Sequence, residues 1–175
     1  PIRKGEDGPI GLIVAPTREL VKQIAFEANI FCKHLGFRCV AAYGGGPLGE
    51  QLGLLKRGCE ILTATPGRLI DVLTVSNGKV TNLRRVTYLV FDEADRMFDL
   101  GFEPQVTQVA RNCRPDRQMA MFSATFPTHI QALAKKTMHK PLQIVVGEVG
   151  KAASNVKQFV EVIEQRQGLK VGAIE

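Results

Sequence analysis

Short apolar runs alternate with longer segments of helical periodicity along most of the chain. The runs cover residues 11–15, 38–42, 60–64, 88–91, 119–122, 142–146 and 158–163. Most of these runs lack the polar alternation of a half-exposed strand. The pattern therefore predicts strands that are buried on both faces.

Four segments between the runs have the spacing of amphipathic helices. They are residues 17–34, 66–75, 102–113 and 127–137, of which the second and fourth begin with a proline that suits a first helical position. Strand–helix alternation of this kind predicts the α/β class, a three-layer domain around a mostly parallel sheet. Since the pattern loosens after residue 147, we expect one domain over 1–164 and a linker or tail over 165–175.

Composition and charge narrow the class of protein. The chain has 175 residues, 45% of them apolar and 23% charged, which fits one globular domain. No run approaches the length of a membrane span. The net charge of +6 favours a polyanionic partner, although it is also an ordinary solubility charge.

The cysteine pattern argues against a disulfide scaffold and against a zinc module. Cys32, Cys39, Cys59 and Cys113 form no C-x-x-C pair, and no histidine stands at metal-ligand spacing beside them. We expect free, mostly buried thiols in a reducing, intracellular compartment.

Ligands of an open parallel sheet bind beyond the carboxyl ends of its strands, so the residues after each run are the candidates for chemistry. Asp92-Glu93-Ala94-Asp95 follows the run 88–91. Asp92 can hold Mg²⁺ through water, and Glu93 can polarise an attacking water. The alternative is an acidic helix N-terminus that complements the helix dipole.

Two hydroxyl residues, Ser123 and Thr125, follow the run 119–122. Their hydroxyls are placed to hydrogen-bond neighbouring carboxylates. An ordinary helix cap before Pro127 is the alternative interpretation.

Two strand-to-helix junctions each combine a proline, a hydroxyl and an arginine. They are Pro16-Thr17-Arg18-Glu19-Leu20 and Thr65-Pro66-Gly67-Arg68. Helix N–H groups and a guanidinium bind phosphate, so two such junctions on one sheet edge could follow the phosphates of a single strand of nucleic acid. For either junction taken alone, a well-capped helix with a solvated arginine is the favoured interpretation. The Gly44–Gly46 run after residues 38–42 permits close approach of a sugar-phosphate chain, or is a flexible turn.

In this order the motifs resemble those of the first RecA-like domain of a DEAD-box RNA helicase, a P-loop NTPase type of fold, over about Gly8 to Ile163. The acidic tetrad 92–95 is similar to motif II of that family, and residues 123–125 are similar to motif III. Residues 16–20, 45–46 and 65–68 resemble motif Ia, the GG motif and motif Ib. The stretches 90–102 and 114–127 look most like the splicing-associated nuclear members.

The resemblance implies ATP-dependent unwinding or remodelling of RNA and RNA–protein complexes, with ATP and Mg²⁺ as cofactors. Asp92 would hold the Mg²⁺, Glu93 would orient the hydrolytic water, and Asp95, Ser123 and Thr125 would couple the nucleotide site to the RNA path. The RNA backbone would be bound by Pro16, Thr17, Arg18, Glu19, Gly45, Gly46, Thr65, Pro66, Gly67 and Arg68. Implied partners are RNA, a second RecA-like domain and spliceosomal proteins, for a nuclear monomer that has no contact with a membrane.

The family's glutamine motif and phosphate loop would precede Pro16, and the chain contains neither, nor a second RecA-like domain. We therefore expect ATP hydrolysis from the full-length protein and not from this chain alone. The alternative is a non-catalytic RNA-binding or scaffold module derived from the same fold. The intact acidic tetrad weighs against it, because a module that only binds RNA gains little from three clustered acids.

Overall fold

A five-stranded, wholly parallel sheet forms the centre of the computed structural model, which describes residues 7–75, 77–147 and 159. The strands lie in the order β2-β3-β1-β4-β5. Their bounds are β1 Gly11–Val14, β2 Cys39–Ala42, β3 Ile61–Ala64, β4 Tyr88–Phe91 and β5 Gln118–Met121. The predicted α/β class and parallel sheet are confirmed.

Helices follow every strand and cover both faces of the sheet. They are α1 Arg18–Leu35, α2 Leu48–Lys56, α3 Pro66–Val75, α4 Ala94–Asp99, α5 Glu103–Asn112 and α6 Thr128–Thr137. The Thr63 hydroxyl on β3 donates to the Val21 carbonyl of α1 at 3.3 Å, so α1 covers that face. Leu62 and Ala64 point to the opposite face, because successive strand residues alternate. There they join one hydrophobic cluster with residues of α3, α5 and α6.

The register of the strands explains why that cluster is continuous. Leu12 of β1 pairs with Leu62 and Leu89, and all three side chains are fully buried. Since parallel neighbours in register present the same face together, each row of apolar residues continues across the sheet. The three-layer arrangement expected from the sequence is therefore the observed one.

Local signals in the sequence set the ends of the longest helix. The Thr17 hydroxyl accepts a hydrogen bond from the Leu20 N–H at 3.3 Å, which caps the start of α1. Gly36 ends α1 in the left-handed conformation, with φ +66°. A glycine adopts this conformation without the cost that a side chain would add.

All four cysteines are free, and three of them are buried. Burial raises the pKa of Cys39, Cys59 and Cys113 to about 12, so these thiols stay protonated and poorly nucleophilic near neutral pH. The prediction of free structural thiols is confirmed for this structure. No helix in the described ranges has the length and apolar character that a membrane crossing requires.

Several sequence predictions differ from the structure. The strand predicted over 142–146 is wrong: this segment has no strand pairing, and Leu142 and Ile144 are 91% and 84% exposed. A strand needs backbone partners, and the described sheet supplies none to these residues. The predicted strand 158–163 lies outside the described residues apart from Phe159. The final strand begins and ends one residue earlier than expected, and helices α2 and α4 were not predicted.

The chain divides into two compact units, Pro1–Ile144 and Val145–Glu175. Every helix and strand given above lies in the first unit. The second is described only at residues 145–147 and 159. The boundary expected at residue 164 lies outside the described part of the chain and stays a prediction.

Leu62→Ala tests the shared core. Leu62 is fully buried between two strand neighbours, so truncation removes apolar burial and leaves a cavity. We expect a loss of about 2–5 kcal/mol in the free energy of unfolding, measured by urea denaturation. Leu35→Ala, at a side chain that is 63% exposed, is the matched control and should change it by less than about 0.5 kcal/mol. Equal losses in the two variants would contradict the assigned core.

Candidate functional site

The carboxyl ends of all five strands meet at one edge of the sheet. Val14, Ala64 and Phe91 are direct cross-strand partners, and Ala42 and Met121 continue the row outward. The residues that follow the strands therefore lie side by side along this carboxyl edge. The expectation that the candidate residues leave the strands on one edge is confirmed.

A row of main-chain hydrogen bonds runs along the carboxyl edge just past the paired residues. Thr65 N–H donates to Ala42 at 2.9 Å, Ala15 N–H to Ala64 at 3.0 Å, Asp92 N–H to Val14 at 3.0 Å and Phe122 N–H to Phe91 at 2.8 Å. Each bond joins neighbouring strands, so the row crosses the sheet from β2 to β5. At about 4.8 Å per strand the outer two strands are about 19 Å apart.

The candidate residues divide between the two halves of this edge. The strand order places the junctions after β1, β2 and β3 on one half and the turns after β4 and β5 on the other. We call the second group the acidic corner, and it comprises Asp92, Glu93, Asp95, Ser123 and Thr125. We call residues 43–47 the glycine loop.

Asp95 is the hydrogen-bonding centre of the acidic corner. Its Oδ2 accepts from the Thr125 hydroxyl at 2.8 Å and from the Thr125 N–H at 2.9 Å. Its own N–H donates to the Ser123 Oγ at 3.1 Å. The turns after β4 and β5 are therefore joined by side chains as well as by the Ala94 N–H, which donates to the Phe122 carbonyl at 3.0 Å.

These bonds set the charge state of Asp95. Burial raises the pKa of its carboxyl, but hydrogen bonds from Thr125, Arg96 and Ser123 outweigh burial, and the net effect lowers the pKa below its usual value. Donors that bind the ionised carboxylate favour that form. Asp95 is thus a carboxylate at neutral pH, and it acts as an acceptor that holds the second turn.

Glu93 occupies a strained backbone position. Its φ of +49° and ψ of +53° lie in the left-handed region, which costs a residue with a side chain about 1–2 kcal/mol. The Glu93 Oε2 lies 3.8 Å from the Arg96 Nη1, and the Glu93 N–H donates to the Asp92 Oδ1 at 3.0 Å. This left-handed conformation turns the chain from β4 into α4 and leaves Asp92 and Glu93 at the carboxyl edge.

The acidic corner has the donors that Mg²⁺ prefers. Carboxylates that leave a strand end bind Mg²⁺ with one or two protein oxygens and several waters. Asp92 is half-buried, and one of its oxygens is already oriented by the Glu93 N–H. Within residues 7–75 and 77–147 no three His, Cys, Asp or Glu side chains cluster as a full protein-made metal site. Asp92, with one oxygen oriented in this way, fits an ion that is bound largely through water.

On the other half of the edge, two arginines contact the glycine loop. The Arg68 Nη1 donates to the Gly46 carbonyl at 3.1 Å, and the Arg18 Nη1 lies 3.3 Å from the point where a Cβ on Gly45 would stand. Gly45 has φ +78°, so the loop needs glycine there for conformation. The structure thus brings residues of the three junctions together.

The remaining residues of these junctions shape the backbone more than they present side chains. Pro16, Thr65 and Pro66 are buried, and the Thr17 hydroxyl is engaged in capping α1. Glu19 pairs with Arg18 at 3.0 Å. A Cβ added to Gly67 would meet nothing within 4 Å, so the backbone is open to a ligand at that point.

Two side chains near the glycine loop were not singled out from the sequence. Gln51 of α2 is only 6% exposed and bonds both backbone groups of Tyr43 at 3.1 Å. The Lys22 Nζ lies 5.6 Å from the centre of the Tyr43 ring. The sequence did not predict α2, because the five glycines at positions 44–46, 49 and 53 are typical of a long turn.

Comparison with known proteins decides the family. A family model described as DEAD/DEAH box helicase matches residues 2–133, well over half of the chain. The chain belongs to the DEAD/DEAH box helicase family. The acidic corner, the glycine loop and the two proline-bearing junctions all fall inside the matched range.

Curated helicases and solved helicase structures resemble the chain closely. DEAD-box ATP-dependent RNA helicase 45 of Arabidopsis thaliana is 56% identical over 162 residues, 93% of this chain and 16% of that protein. The pre-mRNA-processing ATP-dependent RNA helicase prp5 of Emericella nidulans is 56% identical over 161 residues, 92% of this chain and 14% of that protein. The chain thus spans about a seventh of the length of these relatives.

The crystal structure of the yeast DEAD-box splicing factor Prp28 matches 85% of this chain and 36% of its own, with a TM-score of 0.73 and 38% identity. Prp28 from Chaetomium thermophilum bound to ADP matches 77% of this chain and 32% of its own, with a TM-score of 0.67 and 43% identity. These likenesses confirm the RecA-like helicase fold that the motifs implied.

Thr125→Val tests the electrostatics of the acidic corner in this helicase domain. The variant keeps the side-chain shape but removes the hydroxyl that donates to Asp95. We expect the pKa of Asp95 to rise toward its usual value, measured by carboxyl-carbon NMR titration. Thr137→Val, whose hydroxyl bonds the Leu133 carbonyl within α6, is the control and should leave the Asp95 titration unchanged.

Thr125→Val should also lower the free energy of unfolding by an amount that depends on pH. A carboxyl with a lowered folded-state pKa stabilises the fold fully above its unfolded value of about 3.9, and this contribution is lost as the pH falls through the folded value. The destabilisation by Thr125→Val should therefore be largest near neutral pH and shrink below about pH 4. A loss that stays constant from pH 7 to pH 3 would contradict the assigned charge.

Proposed function

We propose that the full-length protein is an ATP-dependent RNA helicase that unwinds or remodels RNA and RNA–protein complexes. The observation that carries this proposal is the division of the carboxyl edge into an acidic half and a half with exposed backbone and arginines. One half suits a nucleotide with its metal ion, and the other suits the backbone of a single RNA strand. The row of main-chain hydrogen bonds fixes the spacing between the halves.

In the acidic corner, Asp92 would hold Mg²⁺ through water and Glu93 would orient the hydrolytic water. The ion, when bound, neutralises charge on the phosphates of ATP. The left-handed residue Glu93 follows Asp92 directly, and the Glu93 N–H donates to the Asp92 Oδ1 at 3.0 Å. Asp95, Ser123 and Thr125 would couple the nucleotide site to the RNA path. Hydrogen bonds between Asp95 and these two residues join the turns after β4 and β5 into one unit.

RNA would contact the glycine loop and the two proline-bearing junctions through its phosphates. Backbone N–H groups, the open surface at Gly67 and the half-exposed Arg18 contact phosphate without reading bases. A basic chain with net charge +6 supports such a partner. We therefore propose sequence-independent binding of the RNA backbone, with a second RecA-like domain closing over the nucleotide.

Relatives support a place in pre-mRNA splicing. The prp5 relatives are named as pre-mRNA-processing helicases, and yeast Prp28 is named as a splicing factor. We propose nuclear localisation and spliceosomal protein partners on this basis. The intact acidic corner disfavours the alternative of a non-catalytic scaffold, since a scaffold has no use for strained acids at a strand end.

Glu93→Gln in the full-length protein tests the catalytic part of the proposal. The amide keeps the shape of the side chain but cannot accept a proton from water, so RNA-stimulated ATP hydrolysis should fall about 100-fold or more. ATP-dependent RNA binding should remain within about threefold of wild type. Steady-state phosphate release and fluorescence anisotropy measure the two quantities.

Glu103→Gln is the matched control, because Glu103 is an exposed acid in the first turn of α5. It should leave both quantities unchanged. A wild-type protein that binds RNA but hydrolyses no ATP would support the scaffold module instead.

Arg68→Ala in the full-length protein tests the half of the carboxyl edge that is proposed to bind RNA. The change releases the Gly46 carbonyl and removes an arginine side chain that is only 12% exposed. We expect RNA affinity to fall about tenfold for all sequences alike, measured by anisotropy with several unrelated single strands. Arg111→Ala removes the same charge from an exposed position on α5 and should have little effect. A loss that depends on particular bases would overturn the backbone-binding part of the proposal.

A further inference from the structure

β2 is one of the two edge strands of the described sheet, and Tyr43, which follows it, turns its backbone groups away from the sheet. The Ala42 carbonyl points toward β3, where it accepts from the Thr65 N–H. In an extended strand the groups of successive residues point to opposite sides, so those of Tyr43 face away from β3. No described strand lies on that side to bind them.

Gln51 supplies the partners that a neighbouring strand would supply. Its Oε1 accepts from the Tyr43 N–H at 3.1 Å, and its Nε2 donates to the Tyr43 carbonyl at 3.1 Å. One planar amide therefore satisfies both groups of one residue. With only 6% of Gln51 exposed, water competes little for these bonds.

The same amide also limits the far side of the glycine loop. A Cβ on Gly46 would stand 3.1 Å from the Gln51 Nε2, closer than most Cβ contacts, so a side chain there would push the amide aside by a few tenths of an ångström. Arg68 holds the Gly46 carbonyl from the other side at 3.1 Å. Tyr43 and Gly46, on either side of Gly44 and Gly45, are thus each held by a side chain from another part of the chain.

We propose that Gln51 is a positioning residue, which holds the glycine loop in the shape that contacts the RNA backbone. This inference rests on the proposed function. Gln51 itself touches no RNA. It orders the loop before RNA arrives, so RNA binding does not have to supply that ordering. The side chain therefore acts on RNA affinity and not on the acidic corner, which lies on the other half of the carboxyl edge.

Gln51→Ala in the full-length protein tests this role. We expect the RNA concentration that gives half-maximal ATPase stimulation to rise about tenfold, consistent with the loss of two hydrogen bonds. The KM for ATP should change far less than this, and the rate at saturating RNA should fall far less than the affinity. This split separates positioning of the loop from general damage to the fold. General damage would impair RNA binding, ATP binding and the maximal rate together, and that result would overturn the proposal.

Gln51→Met covers the case in which the alanine variant does not fold. The thioether keeps the length of the side chain and fills most of its volume, but it cannot donate to the Tyr43 carbonyl and is only a weak acceptor for the Tyr43 N–H. We expect a similar rise of about tenfold in the half-saturating RNA concentration. A folded Gln51→Met protein with wild-type RNA affinity would overturn the proposal.

A matched control and the wild type separate the possible failures. Gln108→Ala removes the same side chain from an exposed position on α5 and should leave RNA affinity unchanged. If the wild type shows no RNA-stimulated ATPase and no RNA binding, the proposed function fails and this inference fails with it. If the wild type is active and Gln51→Ala binds RNA equally well, the inference alone is wrong.

Discussion

The structure depends on one constraint, the parallel register that ends all five strands in the same row. Parallel pairing makes Val14, Ala64 and Phe91 cross-strand partners. The residues that follow them in the chain must then lie side by side, whatever side chains they carry. The main-chain bonds just past the row, from the Thr65 N–H to the Phe122 N–H, carry this order into the turns. Chemistry separated by more than 100 residues along the chain is thereby collected at one edge.

Both halves of the carboxyl edge are held by the same physical device. Beyond the last paired residues, backbone groups have lost their strand partners and need others. In the acidic corner the Asp95 carboxylate accepts from the Thr125 N–H, and at the glycine loop the Gln51 amide takes both groups of Tyr43. In both places a side chain thus replaces the sheet as hydrogen-bond partner where the sheet ends. This explains how turns rich in glycine and polar residues hold a defined shape.

Much of this arrangement was predictable from the sequence. Apolar runs bounded by turn residues predicted the five observed strands to within one or two residues, because burial on both faces leaves a strong local signal. The run 142–146 gave the same signal and was wrong, since strand formation also needs a partner that local sequence does not reveal. The helix α2 was hidden by Gly49 and Gly53, so the role of Gln51 depended on a contact eight residues away that only the fold shows.

Backbone strain is distributed unequally along the carboxyl edge. At the acidic corner Glu93 holds a left-handed backbone, while at the glycine loop Gly45 takes the corresponding conformation without cost. A glycine at position 93 would relieve the strain but would remove the carboxylate. The sequence therefore keeps an acid where the backbone alone favours glycine, and the Asp92 carboxylate and the Asp95–Thr125 bonds on either side hold it in place. Stability is given up at a position whose side chain the proposed hydrolysis needs.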